Sequence, residues 1–113
     1  MGRKEQIKLK FYDKTYTIEY ANRIEVKNYF SELTKIKGKD ELKNGVKTLV
    51  LLLKAGLVEH HEKEMPSDKD LERWATSIPN ADKFYEKLMS MVQSVVSEIE
   101  SDTKNLTWEV VEN

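Results

Sequence analysis

The chain has 113 residues, a length that suits one domain, and its lack of cysteine excludes disulfides, thiolate zinc sites and cysteine nucleophiles. Charged residues make up 35% and hydrophobic residues 39%, which is the composition of a folded chain with one modest core. The net charge of −1 is unevenly spread: residues 1–54 hold 13 basic and 7 acidic residues (+6), and residues 55–113 hold 6 and 13 (−7).

The first predicted element is a β-hairpin. IKLKFYDKTYTIEY alternates apolar and polar residues around Asp13-Lys14, which predicts a turn at these two residues. In that register Lys8 meets Glu19 on the polar face, and three pairs share the apolar face: Phe11 with Tyr16, Leu9 with Ile18, and Ile7 with Tyr20. Because a lone hairpin is only marginally stable, the apolar face is expected to pack on helices.

Two helices are predicted next. ANRIEVKNYFSELTKIKG has helical spacing, with Asn22 as the expected N-cap and Gly38 as the expected stop. Asp40 is the expected cap of a second, leucine-rich helix ending at Gly56, with residues 57–65 as a charged loop. Its apolar run is too short to cross a bilayer, which needs about 20 apolar residues.

Two more helices follow in the second half of the chain. Pro66 and Ser67 predict the start of a short helix, and Asn80 is the expected cap of a long one. The long helix carries a wide apolar stripe, typical of a helix that packs on more than one element: Phe84, Leu88, Met91, Val95 and Ile99, flanked by Tyr85, Met89, Val92 and Val96.

The expected fold is therefore α+β and mostly α: an N-terminal β-hairpin followed by about four helices, the last one long. Residues 1–113 form a single domain in this interpretation, with 1–6 and 103–113 as the candidate flexible ends. The tail LTWEVVE alternates Leu106, Trp108 and Val110, which fits either a short strand against the hairpin edge or a loose end.

The sequence contains no catalytic or phosphate-binding motif. His60-His61 does not complete HExxH, since Met65 stands where the second histidine is needed, and a solvated loop with chemically idle histidines is expected. The signal-peptide apolar stretch is absent from MGRKEQIKLK, which favours an intracellular location. We therefore expect a protein that is not an enzyme, binds no cofactor or metal and does not associate with a membrane. The front half is basic but has no arginine cluster, so nucleic acid binding is not expected.

The two tryptophans are either core residues or interface anchors. A core position is the favoured interpretation for both Trp74 and Trp108, although tryptophan is also enriched at binding hot spots. A binding module is the function class that remains. Its candidate partner-binding residues are Trp74, Tyr85, Met89, Trp108 and Val110.

The order of segments resembles a known family. The hairpin IKLKFYDKTYTIEY, the helix ending in LLLKAGL, the short helix opened by MPSDKDLERW and the long amphipathic helix resemble, from about Ile7 to Asp102, the small tail assembly chaperones of long-tailed bacteriophages, particularly those of Gram-positive hosts. The telling segments are the N-terminal ribbon and LLLKAGL with the residues after it. These are patterns of residue type rather than catalytic signatures.

The resemblance implies a function without catalysis. Members of that family bind the tape measure protein, keep it soluble in the host cytoplasm until tail-tube protein polymerises around it, and are absent from the finished virion. Tape measure protein is therefore the expected partner, with the major tail protein and self-association as further expectations. Two alternatives remain: a small phage or bacterial regulator that binds a host protein or nucleic acid, and a small hydrolase using His60 or His61.

Overall fold

The computed structural model describes residues 5–111 and has the predicted fold class: a two-stranded antiparallel hairpin followed by four helices, 64% helical and with the last helix long. Residues 106–111 are not in a strand. The elements in chain order are β1 (Ile7–Phe11), β2 (Lys14–Ile18), α1 (Ile24–Leu33), α2 (Glu41–His61), a single 3-10 turn (Glu62–Glu64), α3 (Asp68–Ser77) and α4 (Ala81–Asn105).

The hairpin turn lies one residue earlier than the sequence predicted. Tyr12 and Asp13 form it, with Tyr12 at a left-handed φ of 55°, and the strand pairs run from Ile7 with Ile18 to Phe11 with Lys14. The predicted register was therefore wrong by two residues. Since the shift is even, the same side chains stay on the apolar face.

The register change also replaces the predicted Lys8–Glu19 pair. Lys8 Nζ donates to Thr17 Oγ1 at 2.7 Å, and Glu19 lies beyond the strand. The Glu19 backbone N–H donates to the Gly56 carbonyl at 2.9 Å. This bond ties the chain after β2 to α2, and it accounts for the end of strand pairing at Ile18.

Helix α2 is the centre of the domain, and it is longer than predicted. It continues through Gly56 to His61, so the predicted stop at Gly56 and the predicted loop over residues 57–65 were wrong. Gly56 instead lets β2 approach the helix closely: a Cβ there would lie 2.4 Å from Ile18 Cγ2. Leu57 and Val58, the first residues of the predicted loop, are buried. In residues 5–111, no helix is long and apolar enough to span a bilayer.

Two predicted helix caps are confirmed. The Asp40 carboxylate accepts from the Lys43 backbone N–H at 3.0 Å at the start of α2. The Ser67 hydroxyl accepts from the Asp70 N–H at 3.2 Å at the start of α3. Each satisfies an N–H that has no partner within its helix.

The other two predicted caps differ from the structure. Helix α1 begins at Ile24, so Arg23 rather than Asn22 takes the N-cap position, and no side chain caps the helix. Asn22 lies one residue earlier, and its Nδ2 donates to Asp102 Oδ2 at 2.9 Å on α4. Asn80 precedes α4 in a left-handed conformation (φ 54°) and makes no side-chain cap bond. Gly38 has φ 124° but lies five residues beyond the last residue of α1, Leu33, so it shapes the connection to α2 rather than ending the helix.

The core lies where α2 meets β2, α1, α3 and one face of α4. Its fully buried large side chains are Ile18, Val26, Leu52, Leu53, Leu57, Leu71 and Leu88. Burial of each such side chain contributes about 1.5–3 kcal/mol. Tyr20 is also buried, and its hydroxyl donates to the Leu52 carbonyl at 2.7 Å, since a buried hydroxyl needs a partner.

Helix α4 gives the molecule an elongated shape. Its 25 residues span about 37 Å, and only its middle is fully buried, at Leu88, Met91, Val92 and Val95. The radius of gyration is 16.3 Å, against about 13 Å for a compact chain of this length. The C-terminal third of α4 projects from the core with exposed polar faces.

Candidate interaction surface

Trp74 is a core residue. It is 3% exposed on α3, and its ring lies 5.1 Å from that of Phe11 and 4.9 Å from that of Tyr16. Its indole Nε1 is buried and has no hydrogen-bond partner among the described residues. Trp74 therefore fixes the hairpin against α3, and in this conformation it is closed to a partner.

Tyr85 and Met89 lie one turn apart on α4, beside its buried stripe. Tyr85 is 42% exposed, and Met89 is half-buried against the core. Val96, two turns further on, is also half-buried. We call Tyr85, Met89 and Val96 the α4 flank. Because the α4 flank lies to one side of the buried stripe, part of its apolar surface remains exposed to solvent.

The largest exposed apolar group follows α4. Trp108 is 85% exposed, and its neighbours Leu106, Val110 and Val111 are between 74% and 79% exposed. We call residues 106–111 the apolar tail. The Leu106 N–H donates to the Asp102 carbonyl at 2.9 Å and closes the helix, after which the tail makes no backbone hydrogen bond with residues 5–105. Trp108 is thus an exposed residue, and the preference for a core position was wrong.

The structure keeps the α4 flank and the apolar tail apart. Along the helix axis, at 1.5 Å per residue, Leu106 lies about 32 Å from Tyr85, about 26 Å from Met89 and about 15 Å from Val96. Trp74 is buried elsewhere, against the hairpin. The five candidate partner-binding residues therefore form two separate surfaces and one core position, rather than a single site.

The histidine pair belongs to the end of α2 and not to a loop. His61 Nε2 accepts a hydrogen bond from the Thr17 backbone N–H at 2.9 Å, and His60 Nε2 lies 3.2 Å from Glu19 Oε1. Burial, followed by the nearby His60 charge, lowers the pKa of His61, which favours the neutral ring that the Thr17 bond requires. The histidines therefore join α2 to the hairpin, and the expected solvated loop at these residues was wrong.

An arginine-centred network lies beside this junction. Arg23 Nη2 contacts Glu25 at 2.9 Å and Glu62 at 3.2 Å, and its Nη1 lies 3.9 Å from Glu59. The hydrogen bond from Arg23 lowers the pKa of Glu25 to about 2. The guanidinium thus links the start of α1 to the end of α2. Exposed ion pairs of this kind contribute little to stability.

Among residues 5–111, five exposed large apolar side chains were not singled out as partner contacts by the sequence: Leu106 and Val111 in the apolar tail, and three residues elsewhere. Tyr12, Ile24 and Leu42 are 74%, 64% and 78% exposed. Tyr12 had a usable signal, since it stands at a hairpin turn. No sequence signal indicated that Leu42 is exposed, because helical spacing places it on the same face as the buried residues of α2. It is exposed because the first turn of α2 extends past the core.

A metal site and similarity to known proteins were the two remaining guides to function. Residues 5–111 contain no group of three or more His, Asp or Glu side chains arranged to hold a metal ion. No protein family, no curated protein and no solved structure matches this chain.

Proposed function

We propose that this chain is a tail assembly chaperone of a long-tailed bacteriophage, which binds and solubilises the tape measure protein in the host cytoplasm during tail assembly. The order of segments carries the resemblance to that family, and the hairpin-plus-four-helix architecture is compatible with it. Catalysis plays no part in this proposal.

The observation that most favours a binding role is the apolar tail. Four large apolar side chains are exposed within six residues, at Leu106, Trp108, Val110 and Val111. Single exposed apolar residues are common on soluble proteins, whereas a contiguous group marks an interaction site. Trp108 is the strongest anchor candidate because a tryptophan supplies the largest apolar area of any side chain.

The α4 flank supplies a second contact suited to a helical client. An amphipathic client helix presents apolar residues at intervals of three and four, which match the one-turn spacing of Tyr85 and Met89. A tape measure protein is a long helical chain with many such stripes. Weak contacts at two surfaces, about 15–32 Å apart along the axis of α4, then gain affinity from being linked.

The test is co-expression with the tape measure protein of the same phage. We expect the wild-type chain to keep that protein soluble and to co-purify with it. Trp108→Ala is expected to weaken binding by about 2 kcal/mol, a hot-spot effect. Leu42→Ala is the matched control, since Leu42 is also highly exposed, at 78%, but lies on α2 and belongs to neither surface.

Two outcomes would contradict the proposal. If the wild-type chain neither binds nor solubilises the tape measure protein, the chaperone function is wrong, and salt-sensitive binding to DNA would then favour the regulator. If Trp108→Ala, Tyr85→Ala and Leu42→Ala all leave binding unchanged, the client contacts other surfaces than those proposed.

A further inference from the structure

Within residues 5–111, the outer edge of the hairpin has no third strand. Strand β1 pairs with β2 on one side only, and its other edge receives no backbone hydrogen bond from residues 5–111. The β2 edge differs, because the Thr17 and Glu19 N–H groups are bonded to His61 and Gly56 of α2. An open strand edge is a template for pairing with another extended segment.

The apolar face of β1 is also incompletely covered. Ile7, Leu9 and Phe11 are only half-buried, whereas Ile18 on β2 is fully buried. A strand placed beside β1 would extend the sheet and cover these three side chains. Such a strand needs apolar residues at alternate positions and polar residues between them.

The apolar tail has this pattern. If the tail ran antiparallel to β1 with Trp108 opposite Leu9, then Leu106 would lie opposite Phe11 and Val110 opposite Ile7. All six apolar side chains would share one face. On the other face Glu109 would lie opposite Lys8, an attractive cross-strand pair.

We propose that the apolar tail of one copy of this chain adds as a third strand to the β1 edge of a second copy, in a reciprocal two-fold exchange. The proposal concerns the chain alone and does not rest on the chaperone function. A two-fold arrangement forms the strand contact twice, which raises the stability of an interface that is small when formed once.

A second copy is favoured over the chain's own β1 by the position of α4. Lys87 on α4 forms an ion pair with Glu5, just before β1, and Asp102 is held by Asn22. Leu106 is 19 residues beyond Lys87, about 28 Å along the helix axis. Asn22 follows β2 by four residues, at the end of the hairpin opposite its turn, whereas the register above requires Leu106 beside Phe11 at the turn.

The charge distribution favours contact between the tail and the hairpin edge. The front half of the chain, which contains β1 with Lys8 and Lys10, carries +6, and the back half, which contains the tail, carries −7. An exchange between copies places the acidic end of one beside the basic hairpin of the other. This attraction is screened by salt, so association is expected to weaken as ionic strength rises.

The test is sedimentation velocity of the full chain over a concentration series. We expect a concentration-dependent dimer in the wild type. Lys8→Glu and Glu109→Lys are each expected to weaken dimerisation about ten-fold, because two attractive pairs become two like-charge contacts. The double variant is expected to restore it. Lys8→Glu also removes the bond to Thr17, but this loss is common to the single and double variants.

Lys35→Glu is the control for net charge, since Lys35 is exposed and distant in sequence from both strands. Amide hydrogen exchange of residues 7–11 gives the second readout, with slower exchange expected in the dimer. A wild type that stays monomeric at every concentration overturns the proposal. The proposal is also overturned if the two single variants dimerise as the Lys35→Glu control does. Slow amide exchange at β1 in a monomer would likewise overturn it, because the chain's own tail would then pair with β1.

Discussion

Replacing Gly56 by alanine tests the closest contact in the fold. Alanine is the better helix former by about 1 kcal/mol, so Gly56→Ala in the interior of α2 would stabilise an isolated helix. In this domain the new Cβ would lie 2.4 Å from Ile18 Cγ2 and 3.3 Å from Tyr20 Cζ. The Ile18 atom is attached to a β-branched carbon and is fully buried, so it moves only if the rotamer or the strand moves.

The expected effect is the difference between these two contributions. Overpacking a filled core costs about 1–3 kcal/mol, and the gain in helix propensity offsets about 1 kcal/mol of it. The effect of Gly56→Ala should therefore lie between neutral and a destabilisation of about 2 kcal/mol. The hydrogen bonds that join this part of α2 to the chain after β2, from Glu19 N–H to Gly56 and from the Tyr20 hydroxyl to Leu52, are expected to lengthen.

Urea denaturation measures the change, with Gly45→Ala as the matched control. Gly45 lies in the same helix, and a Cβ there meets nothing within 4 Å, so only the propensity gain remains and stability should rise by up to about 1 kcal/mol. Ile18→Ala removes the atom that clashes, so Gly56→Ala should be less destabilising in that background. If Gly56→Ala is as stabilising as Gly45→Ala, the close packing of β2 on α2 is wrong.

Three further predictions concern the core, the tail and the histidine junction. Leu53→Ala should destabilise the domain by about 2–5 kcal/mol in a denaturant melt, and a loss under about 0.5 kcal/mol would contradict its buried position. Trp108→Ala should change the unfolding free energy by less than about 0.5 kcal/mol, since the side chain is 85% exposed. His61→Ala should cost about 1 kcal/mol at pH 8 by removing the acceptor for Thr17 N–H. Because the folded state lowers the pKa of His61, wild-type stability should fall as the pH drops below about 6.5, and a His61→Ala variant whose pH profile is unchanged over that range would refute this.

The sequence predicted features that depend on local chemistry. The fold class followed from periodicity, and the Asp40 and Ser67 caps followed from side chains that bond an N–H within the same turn. The misplaced features depend on partners far along the chain. Asn22 has a side chain suited to a cap, but its amide Nδ2 instead donates a hydrogen bond to Asp102, which is 80 residues away along the chain.

Gly56 shows why a glycine could not be interpreted from its neighbours alone. A glycine after an apolar helical run is a typical stop signal. The same residue also permits close approach of another backbone, and only the position of Ile18 distinguishes the two. For Trp108, sequence alone could not show that the core is complete without residues 106–111, and so it could not separate an anchor from a core residue.

The magnitudes limit what the apolar tail can do by itself. Full burial of its four large apolar side chains would supply roughly 6–12 kcal/mol, at about 1.5–3 kcal/mol each. Association costs an estimated 4–15 kcal/mol in lost translational and rotational freedom, and ordering the tail adds to that cost. A single tail contact is therefore weak. Strong binding requires a second contact held on the same scaffold, which the α4 flank provides for a helical client and a reciprocal tail provides for a second copy. Client binding and dimerisation use the same tail, so a saturating concentration of client should dissociate the dimer. Sedimentation velocity with client present tests this prediction. A dimer that persists would show that the two interactions do not compete.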